Sequence, residues 1–246
     1  MKVTIVGCGD AFGSGGRLQS SYHVQVGPTR FLIDCGATAL IGLSRLGIDP
    51  NGITTIFISH LHGDHFAGLV WWLVHAQHVG RRASPLIIAG PPGIEGRLAA
   101  AAQALFPGSM VGIKFPLRFV EMRPGEKGEV AGVAVTPFEV SHPSGAPSYA
   151  LRFELGGKVL AFSGDTEWVD SLLAAGRDAD LYITECYQFD GAPRYHMSWT
   201  RIRPLLARMA PKRVLLTHMG EAMLARRAEV DYPGLVLAED GLVLEV

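Results

Sequence analysis

The chain is poor in cysteine. Its 246 residues include only Cys8, Cys35 and Cys186. They are widely spaced and form no C-x-x-C pair, which excludes a disulfide framework and a cysteine zinc site. No apolar run reaches the roughly 18 residues of a membrane span. The longest, from Leu69 to Val79, is interrupted by His75, Gln77 and His78. No charged-then-apolar leader precedes the strand-like Lys2–Val6, so the expectation is a soluble cytoplasmic protein with no membrane contact. An excess of either charge is also missing: 22 Lys and Arg balance 23 Asp and Glu, for a net charge of −1. That balance argues against a general polyanion binder. Arg81-Arg82, Arg226-Arg227 and the spread of Arg194, Arg201 and Arg203 could still make local anion sites, but each reads first as solvated surface.

Apolar residues make up 48% of the chain and glycines number 30, which fits a turn-rich globule with a large core. Strand-like runs are expected at 3–6, 22–26, 30–33, 53–58, 85–88, 133–140, 149–154, 159–162, 181–184, 214–216 and 242–246. Gly27-Pro28 and Gly156-Gly157 mark hairpin turns. Helical patterns lie between them, at 37–46, 66–79, 95–105, 169–175, 199–209 and 221–229. Pro204 is expected to kink the fifth helix or delay its start. No linker or composition break divides the chain, so residues 1–246 are expected to form one layered α/β domain. Trp71 and Trp72 fall on different faces of the second helix, one for the core and one for a pocket mouth or subunit contact.

Against this background six residues stand out: His60-Leu61-His62-Gly63-Asp64-His65, directly after the run 53–58. Imidazole nitrogen and carboxylate oxygen are the ligands that suit zinc and its first-row neighbours. In a helix only pairs three or four apart share a face, so a tight turn at Gly63 is expected to fold the donors inward. Three more metal-competent residues follow strands in the same manner: His142 after 133–140, Asp165 after 159–162, His218 after 214–216. Loops at strand ends, carried on a rigid sheet, are where open sheets build their sites. His60, His62, Asp64, His65, His142, Asp165 and His218 make seven candidate ligands. Seven exceeds one tetrahedral ion and matches two divalent ions sharing a carboxylate, zinc first and manganese or iron as alternatives. Water held between two such ions loses a proton near neutral pH, which is hydrolytic chemistry.

The motifs 32–36 (Leu-Ile-Asp-Cys-Gly), 60–65, His142, 162–166 (Phe-Ser-Gly-Asp-Thr) and 215–218 (Leu-Leu-Thr-His) occur in order over essentially the whole chain. In this the sequence resembles the metallo-β-lactamase superfamily. The resemblance implies a four-layer αββα sandwich with a dinuclear site at one edge. It places His60, His62 and His142 on one metal and Asp64, His65 and His218 on the other. Asp165 bridges, and Asp34 supports the site. Tyr195-His196-Met197-Ser198, 22 residues before His218, with Glu185 after a strand, resembles the branch holding ribonuclease Z and the cyclic phosphodiesterase of phosphonate degradation. There a histidine at the His196 position contacts the scissile phosphate or protonates the leaving oxygen. The resemblance also implies a homodimer.

Ribonuclease Z carries a tRNA-gripping arm between the motifs equivalent to His142 and Asp165. Here those residues are 23 apart, with room for one hairpin, so nucleic acid is not the favoured substrate. The expected enzyme is a dinuclear metal-dependent hydrolase, a phosphodiesterase acting on a small or cyclic phosphodiester. His196 and Asp64 are its catalytic residues, Asp64 as a proton shuttle besides a ligand. The alternatives are a thioester or lactone hydrolase and an arm-less tRNA 3′-processing endonuclease. The segment Gly7–Gly13 is expected to be a tight loop near the site, not a dinucleotide cradle, because its third glycine comes one residue late. His23, His75 and His78 are placed outside the site; Ser144 and Tyr149 are candidate pocket residues, Tyr149 more for strand packing.

Overall fold

The computed structural model describes residues 1–246. Fourteen strands form two seven-stranded sheets. The first contains β1 (Lys2–Gly7), β2 (Ser21–Val26), β3 (Thr29–Ile33), β4 (Thr55–Phe57), β5 (Leu86–Gly90) and β6 (Leu117–Glu121), with β14 (Val243–Glu245) at its edge. The second contains β7 (Gly128–Val130), β8 (Val133–Val140), β9 (Ser148–Leu155), β10 (Lys158–Phe162), β11 (Leu181–Glu185), β12 (Val214–Thr217) and β13 (Leu235–Leu237). Each sheet is antiparallel on one side and parallel on the other: β3 to β6 in the first, β10 to β13 in the second.

Alternation along the strands explains the layering. Phe31, Ile33 and Phe57 point between the sheets and meet Phe153, Leu160 and Phe162 of the second sheet. Phe57 packs edge-on against Phe153 with centroids 5.0 Å apart, a pairing worth about 0.5–1.5 kcal/mol beyond area burial. Their neighbours Leu32, Ile56 and Ile58 point outward. They are covered by α1 (Ala39–Arg45), α3 (Gly68–His78) and α4 (Ile94–Leu105), with α2 (Gly63–Phe66) just before. Outward residues of the second sheet, including Tyr182, Val214 and Leu216, meet α5 (Ser171–Gly176), α6 (Trp199–Met209) and α7 (Glu221–Ala225). The result is the expected four-layer αββα sandwich. No helix is long and apolar enough to cross a membrane.

Three short strands, β6, β7 and β13, were not expected. None buries a clean alternating face; β6 lies at the first sheet's edge with no fully buried residue, so no period marks it. Gly63 does not make a tight turn but opens α2, and Gly68 starts a separate helix, dividing the expected helix 66–79. A side-chain carbon on Gly68 would fall 2.1 Å from the Gly36 carbonyl oxygen, so only glycine lets α3 dock on the Asp34–Gly36 turn. Pro204 does not delay α6, which begins at Trp199 and carries the proline inside. Trp72 is fully buried, while Trp71 is 37% exposed and stands edge-on to Phe106.

Candidate metal centre

All seven expected ligands converge beyond the carboxyl ends of the central strands. His60 follows β4, His142 follows β8, Asp165 follows β10 and His218 follows β12. Asp64 and His65 come from the first turn of α2. Ligand atoms fall into two groups, each within 4.8 Å: His60, His62 and His142 in one, Asp64, His65, Asp165 and His218 in the other. One atom joins them. Asp165 Oδ2 lies 3.9 Å from both His60 Nε2 and His142 Nε2, 3.3 Å from His65 Nε2 and 3.2 Å from His218 Nε2. Gly164, at φ 59°, permits this placement, because a side-chain carbon there would meet the Tyr149 carbonyl oxygen at 2.6 Å.

The hydrogen bonds on the far side of the rings fix which nitrogen faces inward. His142 Nδ1 donates to the Tyr195 carbonyl at 2.9 Å, leaving Nε2 for the site. His65 Nδ1 donates to Asp34 Oδ2 at 2.7 Å. Ser59 Oγ donates to the same Asp34 oxygen at 2.8 Å and accepts from His60 Nδ1 at 3.0 Å. Asp34 Oδ1 takes the Ser59 amide at 2.7 Å. One buried carboxylate therefore sets the tautomer of both His60 and His65. Ser59 was not recognised in the sequence. Its only signal there is a polar residue between an apolar strand and the first histidine; in the fold it is fully buried.

A fit test for metal lies in atoms left without partners. His60 Nε2, His65 Nε2 and Asp165 Oδ1 are buried and have no hydrogen bond. Buried polar atoms are ordinarily paired, since leaving one unsatisfied costs about 1–3 kcal/mol. Lone pairs of imidazole and carboxylate gathered around common points are what divalent cations complete, so the residues fit such ions.

The electrostatics divide the groups. Burial, aided by the neighbouring His65 charge, holds His60 well below the usual histidine range, and burial lowers His142 to about 4. In the second group burial opposes protonation, but Asp165 and the hydrogen bond to Asp64 raise His218 to about 9. His65 is likewise raised against burial by Asp165, Asp64 and Asp34. Burial also works against the Asp165 charge, yet His218 and His65 hold its carboxyl well below the carboxylate range.

His196 stands over both groups. Its Nδ1 lies 3.1 and 3.2 Å from the two oxygens of Glu185, at the end of β11. The ring stacks on His218 at 5.7 Å and 15°, and lies 4.9 Å from the His142 and Tyr187 rings. A ring nitrogen falls within 4.8 Å of ligand atoms of His142 and Asp165. The His196 side chain keeps 22% exposure, against 1% for Glu185. Burial lowers its proton affinity, but the Glu185 hydrogen bond and charge outweigh this and raise it.

Backbone strain concentrates here. Asp34, Tyr195 and His218 have φ of 57°, 64° and 54°, three of the seven left-handed residues other than glycine. Such conformations cost on the order of 1–3 kcal/mol each and persist where surrounding bonds over-determine them. The His218 amide, for example, donates to the Cys8 carbonyl at 3.0 Å, which also places the Gly7–Gly13 loop beside the site. Ser144 spends its hydroxyl on Ala146 and Ser148, and Tyr149 is buried in β9 with its hydroxyl on the Met122 carbonyl. His23 is buried in β2, and His75 and His78 end α3.

Comparison with known proteins agrees with the fold. The family model described as anti-Pycsar protein Apyc1 matches residues 1–239. The ribonuclease Z of Mycobacterium bovis is 30% identical over 193 residues, covering 73% of this chain and 68% of that protein. A probable metallo-hydrolase of Bacillus subtilis, YhfI, is 27% identical over 253 residues and 100% of both chains. The crystal structure of YhfI, a metallo-β-lactamase fold protein, superposes with a TM-score of 0.80 at 26% identity, covering 99% of this chain and 98% of that one. The short form of human tRNase Z superposes equally well, TM-score 0.80, at 23% identity over 100% and 99% of the two chains, which speaks for the fold. With its strand-end histidines and aspartates in two clusters suited to metal, the chain is a metal-dependent hydrolase of the metallo-β-lactamase superfamily, on its ribonuclease Z-like branch, and belongs to the anti-Pycsar protein Apyc1 family.

Proposed function

We propose that this hydrolase is a phosphodiesterase that cleaves a small or cyclic phosphodiester at two divalent metal ions, zinc being the first choice. His60, His62 and His142 would hold one ion, Asp64, His65 and His218 the other, with Asp165 between them. When bound, such ions neutralise charge on the phosphoryl oxygens and lower the pKa of water, supplying a nucleophile at neutral pH.

The observation that carries the phosphodiester reading is the Glu185–His196 pair beside both groups. Glu185 accepts the Nδ1 proton of His196 and so presents Nε2 as the free nitrogen. Protonated at both nitrogens, His196 gives its Nε2 proton to the departing alkoxide oxygen. A phosphodiester needs that proton, and its charged oxygens gain from an imidazolium nearby. Asp64 is a ligand first: its Oδ2 lies 3.2 Å from both His65 Nε2 and His218 Nε2, which leaves Oδ1 to relay a proton. Substrate size follows from the frame. Between His142 and Asp165 the chain forms only β9, its turn and β10, with no projecting arm. The M. bovis relative, named a ribonuclease, acts by its name on RNA; the arm-less frame favours a smaller diester here.

Turnover of bis(p-nitrophenyl) phosphate, a thioester, a lactam and a precursor tRNA tests this, for wild type and His196→Ala. The expected result is two metals per chain in both proteins, with diester turnover about 10²–10⁴-fold lower in the variant. Thioester or lactam cleavage indifferent to His196 would move the protein to carbonyl hydrolysis. Preferred cleavage of the tRNA would make it a processing nuclease.

A further inference from the structure

Arg82 is not the solvated surface residue that the sequence leads one to expect, although its neighbour Arg81 is exposed. Arg82 is 4% exposed. After α3 the chain reverses: the Val79 and Gly80 amides both reach the His75 carbonyl, and the Arg82 amide reaches Ala76 at 2.8 Å. Arg81 takes a left-handed conformation, φ 46°, within this reversal. The two arginines are thereby brought back against the last turn of α3 and face Lys114 across a cavity of about 360 Å³. Its lining is Gln77, His78, Arg81, Arg82 and Lys114, with neither a carboxylate nor an apolar side chain.

The Arg82 guanidinium is pinned by neutral partners. Nε donates to Ser84, Nη1 to Pro50, and Nη2 to Ile53 and Pro85, all backbone carbonyls at 2.6–3.2 Å. Four of its five N–H groups are thus engaged, and one on Nη1 is left. No carboxylate oxygen comes within 4.0 Å of Arg81, Arg82 or Lys114, although seven such contacts with Lys or Arg occur elsewhere in the molecule. Burial pushes the Arg82 guanidinium below its usual range; the charge of Asp49, more distant, opposes this. A buried cation without a counter-ion is costly, and paired charges are the rule in interiors. The carboxyl end of α3 adds a partial negative charge, but three side-chain cations outweigh about half a charge. In a protein of net charge −1, three positive groups around one acid-free cavity are a local arrangement, not general basicity.

We propose that this cavity is a binding site for a small phosphate-bearing anion, separate from the metal centre. A phosphate dianion would meet charge-assisted donors from Arg81, Lys114 and the remaining Arg82 N–H, with His78 at the rim. The volume lies within the range of small-molecule sites and exceeds that of the phosphate group alone, leaving room for a small esterifying group. The site is remote from the chemistry. The eleven residues of α3 separate it from the metal segment, a span of roughly 16 Å.

The His78 imidazole provides a local reporter by NMR in the metal-loaded protein. Inorganic phosphate and glycerol 1-phosphate are titrated separately, with chloride at matched ionic strength as control. A saturable shift of His78 is expected, weakened at least about tenfold in the Arg81→Ala/Lys114→Ala double variant. Both substituted residues are exposed, and metal content and diester turnover of that variant should stay within about twofold of wild type. Tighter binding of one probe over the other tells the ester from the free anion. A shift that chloride reproduces, or an affinity unchanged in the double variant, would overturn the proposal.

Discussion

The two donor groups differ in kind although they share an oxygen. One consists of three imidazoles with no carboxylate among them, and of these His62 approaches solvent. The other is buried throughout and combines two carboxylates with two histidines. Without metal, protons on His65 and His218 occupy the electrostatic role of a cation between those carboxylates. The lesson is that the second group is built around positive charge whether or not an ion is present. The first is built around lone pairs alone. Their supports differ too: the Tyr195 carbonyl orients His142, whereas Asp34 grips His65 directly and His60 only through Ser59.

The comparison is erased most completely at Asp165. Its Oδ2 is the atom near both groups, so Asp165→Ala should lower metal content at both positions and reduce turnover to background. Metal analysis that still finds two ions per chain would contradict the bridging role. A smaller change sharpens the contrast. Ser59→Ala cuts the link from His60 to Asp34 but leaves the His65–Asp34 bond in place, so affinity should fall about 10–100-fold for one ion and hold for the other. Stepwise titration with cobalt, read by its visible absorption, resolves the two events; equal weakening of both would show that the relay is shared. The smallest effect is one of pH, in metal-free protein. His218 is raised from 6.5 to about 9, so the native state binds more protons than the unfolded chain between those values. Its contribution to stability is whole below pH 6.5 and is lost as pH rises through 9. Melting in chelator should drop by about 5 °C across that window, beyond the change seen in His218→Gln. No difference between the two would reject the charge pairing of His218 with Asp64 and Asp165.

Much of this centre is visible in the sequence because its donors stand where periodicity changes. Ile56-Phe57-Ile58 and Val214-Leu215-Leu216 are strands by composition, and a histidine just beyond a buried strand has few other uses. The supporting contacts are not visible, for a physical reason. Asp34 and Ser59 lie 25 residues apart and meet only because β3 and β4 pair in parallel with Ile33 opposite Phe57. A register is a property of two strands, and no single segment displays it. The left-handed turn at Tyr195 is similarly hidden, since tyrosine carries no preference for that conformation and adopts it under tertiary constraint. The burial of Arg82 is hidden on the same ground: a charged residue reads as solvated until the carbonyls that enclose it are known. Edge strands such as β6 escape because neither face is buried enough to impose a pattern.

Each donor group draws from both sheets. His60 and His62, or Asp64 and His65, come from the first; His142, or Asp165 and His218, come from the second. An ion in either position would therefore be a clasp between two halves of the molecule that are far apart in chain order. During synthesis β1 to β6 and the helices that cover them are made long before His218 leaves the ribosome, yet they present only an open set of donors. The first donor set is complete once Asp165 has been made, about two-thirds of the way along the chain, and the second only with His218, nearly nine-tenths of the way, so the second position would be the last to be able to take up metal and filling it would mark the chain's completion.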